Sequence, residues 1–204
     1  MELLKQNLEG YFSRVERDYD AFLAAHNVKQ IEDLPLGKIY AFCQQEQLNF
    51  ENVLITPMFL DAHKAKNIKL LILDIDGVMT DAGMFFTENG DQLKKYNAKD
   101  GMAVRALADS EITVGIISSG FKLNMVKDRA ELLKIERVYV GRDPKIQVLK
   151  TWCDDLDITF EEVGIIGDDI NDLEVMKSVG FSACPSDAVQ VVKQNVDLVL
   201  QYIG

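Results

Sequence analysis

Residues 68–81 read IKLLILDIDGVMTD: an almost unbroken apolar run from Ile68 to Leu73, then Asp74, Asp76 and Gly77. So short a run of branched aliphatics, ended by acids and a glycine, is the pattern of a strand buried on both faces of a parallel sheet; a half-exposed strand would alternate. The two acids fall where the strand ends, which is the edge at which open α/β sheets place ligands. Gly77 permits a sharp backbone turn there. Two carboxylates this close repel, so one pKa rises unless a cation lies between them. A hard divalent ion such as Mg2+ takes oxygen ligands of this kind. Alone, an Asp-x-Asp carries little weight, because aspartates also fill turns and cap helices.

Downstream the same texture recurs. Residues 112–118 and Val163–Ile166 read as buried strands, Arg137–Val140, 180–184 and 197–200 as weaker ones, and 101–108, 122–133, Lys145–Leu156 and 173–178 as the helices between them. The expected fold is α/β, Rossmann-like, with a central parallel sheet covered on both faces. The alternation breaks once, where 84–87 and 92–97 flank Glu88, Asn89, Gly90 and Asp91, the pattern of a β-hairpin with Asn-Gly at its tip. Upstream, residues 1–67 read as helical: Leu4, Leu8, Tyr11, Phe12, Val15, Tyr19, Phe22 and Leu23 recur at three- and four-residue spacing, as in one amphipathic helix. Pro35 and Gly37 punctuate before a shorter helix over 38–47, and Pro57 opens an irregular stretch to about Asn67. The expected organisation is an N-terminal helical appendage, residues 1–67, whose apolar stripe seeks the body or a partner subunit, and a main domain, 68–204.

Composition narrows the function classes. The 204 residues are 48% apolar and 27% charged, ordinary for a globular chain, and exceed one domain by a remainder too short for a second large one. The net charge of −11 disfavours nonspecific attraction to nucleic acid or anionic membrane. No apolar run approaches the ~18 residues of a spanning helix. Glu2, Lys5 and Glu9 are unlike a secretory signal, so a cytoplasmic location is expected. Cys43, Cys153 and Cys184 are widely spaced and odd in number, which suggests neither a disulfide framework nor a zinc site. His26 and His63 both precede the acidic motifs, which disfavours histidine acid-base catalysis.

A second strand ends in acids. VGIIGDDINDLEV, from Val163, delivers Asp168, Asp169 and Asp172 after Gly167. Asp168 is the better candidate ligand; Asp169 and Asp172 equally suit capping of the following helix. Between the two acidic clusters lie GIISSG, ending in Ser118, Ser119 and Gly120, and Lys145 just after Pro144. A hydroxyl and an ammonium are what a phosphoryl group needs beside an ion.

The order DxDGxxTD, strand-end Ser, Lys, GDDxxxD over 68–204 resembles the haloacid dehalogenase superfamily of aspartate-nucleophile phosphatases. More narrowly, DGVMTDAGMFF, YNAKDGMAVRAL, MVKDRAELL and GDDINDLEVMKSVG are similar to the capless 3-deoxy-manno-octulosonate 8-phosphate phosphatases and their nonulosonate 9-phosphate relatives. The resemblance implies that Asp74 attacks phosphorus and that Asp76 protonates the leaving sugar oxygen and later activates water. It implies that Mg2+ is held by Asp74, the Asp76 carbonyl and Asp168, that Ser119 and Lys145 grip the phosphoryl oxygens, and that Asp169 and Asp172 stand behind them. Substrate contacts carry over onto Asp76, Asn97, Ala98, Lys99, Asp100, Gly101, Arg105, Arg129 and Lys145; for the two arginines a helix-surface salt bridge is a rival reading. Phe121 stands where octulosonate phosphatases carry an arginine, and relatives continue past the position of Gly204 with a glycine-rich, arginine-bearing tail. Neither the interval between Asp76 and Ser119 nor that between Ser119 and Lys145 has room for a cap domain. The open site is therefore expected to be completed by a neighbour's hairpin, and the resemblance implies that the oligomer is a homotetramer. A receiver-like phospho-switch and a non-catalytic oligomerisation module remain the alternatives of another class.

Overall fold

Residues 1–60 and 61–204 form two compact units; the computed structural model describes residues 2–59, 62–120 and 123–204. The first unit holds α1 (Glu2–Arg14), α2 (Tyr19–Ala25), α3 (Leu36–Gln45) and α4 (Phe50–Ile55), with a 3-10 turn at Ile31–Asp33. Its opening stripe is two helices where one was expected. Glu16 adopts a left-handed φ of 53°, and Asp18 accepts the N–H groups of Asp20 and Ala21, starting a new helix. The sequence reading also passed over α4, which starts where Asn49 accepts the Asn52 N–H. Leu4, Leu8 and Phe12 pack with Leu23, Ile31, Ile39, Phe42 and Val53. Apart from Val15, which is exposed, the apolar stripe thus packs within its own unit. Each such side chain contributes roughly 1.5–3 kcal/mol. Asn7, amid this core, donates to the carbonyls of Val53 (2.9 Å) and Thr56 (2.7 Å) and accepts the Met58 N–H (2.9 Å). A buried amide is tolerated because its hydrogen bonds are made.

In the second unit the chain runs α5 (Ala62–Ala65), β1 (Leu70–Leu73), β2 (Phe85–Phe86), β3 (Gln92–Leu93), α6 (Ala98–Ala108), β4 (Thr113–Ser118) and α7 (Leu123–Leu132). It continues through β5 (Arg137–Val140), α8 (Lys145–Leu156), β6 (Val163–Ile166), α9 (Leu173–Met176), β7 (Phe181–Cys184), α10 (Gln190–Lys193) and β8 (Leu198–Val199). Six strands form one sheet in the order β5-β4-β1-β6-β7-β8, each pair parallel. Side chains alternate across it. Leu70 and Ile72 join Ile117, Leu149, Val163 and Ile165 in one core, while Leu73 joins Ile75, Ile116, Val126 and Leu133 in another. The chain leaves β1 towards β4 and β5, then returns to β6 on β1's other side. That reversal opens a crevice at the carboxyl ends of β1 and β6, where such folds bind ligands. Leu73 is in register with both Ile116 and Ile166, so the residues after all three strands emerge at one edge.

The hairpin is present but shorter than the sequence suggested, with two residues in each strand. Gly90 supplies a positive φ of 82° at its tip, and Thr87 and Asp91 close the turn, Thr87 N–H donating to the Asp91 carbonyl at 2.9 Å. Met84, Phe85, Phe86 and Leu93 on it are exposed. Among the described residues, no helix is long and apolar enough to cross a membrane.

Candidate active site

Sheet pairing reaches into the site. The Asp74 N–H donates to the Ile166 carbonyl at 3.1 Å, so the β1–β6 ladder fixes the backbone of the first acid, whose side chain is buried. Asp168 lies two residues beyond β6, and Asp172 closes a 3-10 turn over Ile170–Asp172. One carboxylate oxygen from each of Asp74, Asp168 and Asp172 lies within 4.8 Å of the others. Lys145 opens α8, and its ammonium is buried between acids, 3.0 Å from Asp74 Oδ2 and 2.6 Å from Asp172 Oδ1.

These acids divide their work by what they already bond. Asp172 is fully buried; beyond Lys145, its Oδ2 accepts the N–H groups of Asp168 (3.2 Å) and Asp169 (3.4 Å). It is a bracket that shapes the loop and holds the lysine; its side chain reaches back to the loop and makes no capping bond to the helix that follows, α9. Asp169 caps the turn through the Ile170 N–H at 2.7 Å. By contrast, Asp74 Oδ1 and Asp168 Oδ1 are buried with no hydrogen-bond partner. A bare buried acceptor costs its full desolvation; two of them facing one crevice are the donor set of a hard divalent cation. The residues present therefore fit such an ion. Gly77 is part of the fit: its φ is +86°, and a Cβ there would overlap the Asp168 carboxylate.

Burial pushes the Asp74 carboxyl up to about 6 against the pull of Lys145, with Asp172 adding to the rise. Burial also takes Asp168 up to about 7, helped by the charges of Asp74, Asp172 and Asp169. For Lys145, burial opposes the charge, but Asp74 and Asp172 outweigh it and raise its pKa. Each carboxyl would gain from a cation more than it now gains from its neighbours.

A cavity of about 230 Å³ opens over this cluster, lined by Asp74, Asp76, Lys94, Ser119, Asp168 and Asn171, among others. Ser118 is buried and its Oγ accepts the Gly120 N–H at 3.3 Å, leaving Ser119 as the exposed hydroxyl of the pair. Ser119 Oγ accepts from Asn171 Nδ2 at 3.2 Å. Asp76 forms an ion pair with Lys94. Sequence reasoning missed Lys94 and Asn171. In sequence Lys94 is one of two adjacent lysines beside a hairpin turn, with nothing to separate it from Lys95, and nothing in the sequence marked Asn171.

The remaining substrate candidates are not gathered here. Asn97, Asp100, Gly101 and Arg129 line a separate, mostly apolar cavity of about 430 Å³ with Val78, Tyr96 and residues 200–204. Ala98, Lys99 and Arg105 are exposed on α6. Asn97 caps α6 through the Lys99 N–H at 2.9 Å. Arg129 lies over the Tyr96 ring, 5.2 Å from its centroid, and donates to the Asn97 carbonyl at 3.2 Å. Phe121 lies outside the described residues.

A sheet of this strand order, with a buried aspartate ending its first strand and further acids and a lysine converging on it, fits a haloacid dehalogenase-like hydrolase, and the comparisons with known proteins bear this out. Residues 138–203 match that family's model. The chain is 38% identical over 141 residues to the 3-deoxy-D-manno-octulosonate 8-phosphate phosphatase KdsC of Escherichia coli K12, which covers 69% of this chain and 74% of that protein. Among solved structures, the phosphatase of that name from Yersinia pestis matches with a TM-score of 0.68 and 35% identity, over 70% of this chain and 76% of that one. The Moraxella catarrhalis enzyme, crystallised with a magnesium ion, a phosphate ion and a KDO molecule, matches with a TM-score of 0.67 and 30% identity, over 70% and 81%. The chain belongs to the 3-deoxy-D-manno-octulosonate 8-phosphate phosphatase family. That membership sets aside the phospho-switch and the purely structural module.

Proposed function

We propose that this chain hydrolyses 3-deoxy-D-manno-octulosonate 8-phosphate, or a closely related phosphorylated sugar acid such as a nonulosonate 9-phosphate, with Mg2+ as its cofactor. The observation that carries this reading is the pair of unpartnered buried oxygens, Asp74 Oδ1 and Asp168 Oδ1, beside the clamped ammonium of Lys145. Asp74, Asp168 and the backbone carbonyl of Asp76 would hold the ion. When bound, Mg2+ supplies positive charge against the phosphoryl oxygens and shields the nucleophile from them.

The rest of the chemistry falls to the chain's own groups. Asn171 donates to Ser119 Oγ, which directs the hydroxyl proton away from itself and frees it for a phosphoryl oxygen. Lys145, held at fixed distance by two acids, offers a point charge that needs no reorganisation. A bond forms between an Asp74 oxygen and phosphorus as the bond from phosphorus to the sugar oxygen breaks, and the Asp76 carboxyl gives its proton to that departing oxygen. Asp76, now a carboxylate, takes a proton from water; the water oxygen attacks phosphorus and the Asp74–phosphorus bond breaks. Inorganic phosphate leaves, and both acids return to their starting states.

The homotetramer and the cytoplasm complete the proposal. The exposed Met84, Phe85, Phe86 and Leu93 of the hairpin support burial against another copy, since clustered apolar surface of this kind marks association. The three buried free cysteines suit a reducing compartment. A phosphate-release assay tests the function: with Mg2+, the octulosonate phosphate should be hydrolysed faster than a neutral sugar phosphate, and chelation should stop turnover reversibly. Release no faster than that of Asp74→Asn from every sugar-acid phosphate tried would overturn the reading.

A further inference from the structure

Lys94 follows β3, on a hairpin whose other side chains mostly face outward. Its side chain is 11% exposed, against 71% for Lys95, and Leu93 is 61% exposed. The pleat turns successive residues to opposite sides, so of two adjacent lysines one is driven into the site and the other left in water. The inward ammonium forms an ion pair with Asp76 Oδ1 and lines the same cavity as Asp74, Ser119 and Asp168. An ordinary surface pair would leave its lysine exposed; this one is set into the wall of the cavity.

We propose that Lys94 is the positioning residue for proton transfer by Asp76: it holds Oδ1, leaves Oδ2 to carry the proton, and ties the orientation of the acid–base group to the seating of the hairpin. The inference rests on the phosphatase reading and deepens it. Two lysines then serve the two carboxylates separately. Lys145, from α8, contacts Asp74, the nucleophile; Lys94, from the hairpin, contacts Asp76, the proton donor. In the first half-reaction the proton on Asp76 Oδ2 passes to the sugar oxygen as its bond to phosphorus breaks. In the second, the same oxygen accepts a proton from the attacking water. In the first half-reaction, misaiming that oxygen harms only substrates whose leaving group needs the proton; the second half-reaction is common to all substrates.

Leaving-group dependence separates this role from a structural or substrate-binding one. A sugar alkoxide departs only with a proton, whereas 4-nitrophenolate departs without one. In single-turnover measurements, which read phosphoryl transfer to Asp74, Lys94→Met should slow 3-deoxy-D-manno-octulosonate 8-phosphate by roughly 10- to 100-fold, the scale of a small misplacement of a reacting group, with KM changed by less than about threefold. On 4-nitrophenyl phosphate the same variant should lose at least about tenfold less. Lys94→Arg should recover part of the loss. In an Asp76→Asn background, Lys94→Met should add less than about twofold, because groups that act as a unit are not additive. Equal losses on both substrates, a loss confined to KM, or losses that multiply in the double variant would overturn the inference. Wild type serves as the anchor: inactivity on both substrates would bring down the phosphatase reading itself, whereas an active wild type with an unimpaired Lys94→Met overturns only the role of Lys94.

Discussion

Asp74 and Asp168 make the stability of the metal-free protein fall with rising pH, and Mg2+ should reverse that. Both carboxyls have folded pKa values above their ordinary 3.8, at about 6 and about 7. The fold thus prefers their protonated forms: stability is fullest below the unfolded value and is lost as pH rises through the folded ones, over about pH 4 to 7. Carboxyls held low by lysines, such as Asp81 by Lys95 and Glu162 by Lys69, are ionised above pH 5 and add no slope there. The rise of Asp168 is discounted for its partial exposure, and Asp74 and Asp168 interact, so their effects are less than additive. Between pH 5 and pH 8 the combined loss is about 2–3 kcal/mol, on the scale of 1.36 kcal/mol per pKa unit. For a unit of this size that lowers Tm by roughly 5–10 °C. Mg2+ at a hundred times its Kd returns about 2.7 kcal/mol at pH 8, but less than about 1 kcal/mol at pH 5, where it must displace protons. Calorimetric scans with chelator and with Mg2+, at both pH values, measure this directly. Asp168→Asn should flatten the pH slope and abolish the Mg2+ shift. Metal-free stability that held level or rose from pH 5 to pH 8, or a Mg2+ shift of equal size at both, would refute the reasoning.

Asp74→Asn should abolish turnover by several orders of magnitude while leaving the metal-free fold as stable as wild type or more so, because it deletes a buried charge; single-turnover phosphate release and thermal melts read the two halves. Lys145→Met strands Asp74 and Asp172 without their shared cation, and should cost about 3–5 kcal/mol in urea unfolding; a loss below 1 kcal/mol would show that the lysine is dispensable to the fold. Gly77→Ala puts a methyl group into the Asp168 carboxylate at a positive φ, so it should destabilise by at least about 1 kcal/mol and weaken Mg2+ binding in titration calorimetry. Phe85→Ser with Phe86→Ser removes two exposed rings and should shift the particle mass in light scattering towards the monomer.

The sheet was legible because each of its main strands is a compact apolar run, and the main acids because they follow those runs immediately: Asp74 after LLIL, Asp168 after VGII and a glycine. What escaped is what pleat and packing decide. Lys94 and Lys95 are indistinguishable as letters, yet one is buried and one is not. Asn171 gained meaning only when its turn faced Ser119 across the sheet edge. The break after α1 has no proline or glycine to announce it; a left-handed Glu16 and the Asp18 cap make it. Periodicity ran straight through, since Tyr19, Phe22 and Leu23 keep the helical spacing of the residues before the break. Asn97 and Arg129 were grouped with the acids by family resemblance alone, and the fold seats them around a different cavity.

The partnership of β1 with β6 also bears on how the protein is made. These strands are neighbours in the sheet, but the chain must first lay down β2, β3, α6, β4, α7, β5 and α8 between them. On the ribosome, β1 and the Asp74 that follows it therefore emerge early and wait for their partner. Lys145 and then Asp168 arrive late, and contacts of such long sequence separation form slowly. A nascent or truncated chain carries Asp74 without Lys145 and Asp168 beside it, so on the proposed reading metal capture should begin only after most of the sheet has been synthesised. Divalent-ion affinity is then a natural gauge of completed folding, and stalled chains of increasing length should acquire it abruptly once β6 and the loop after it clear the exit tunnel.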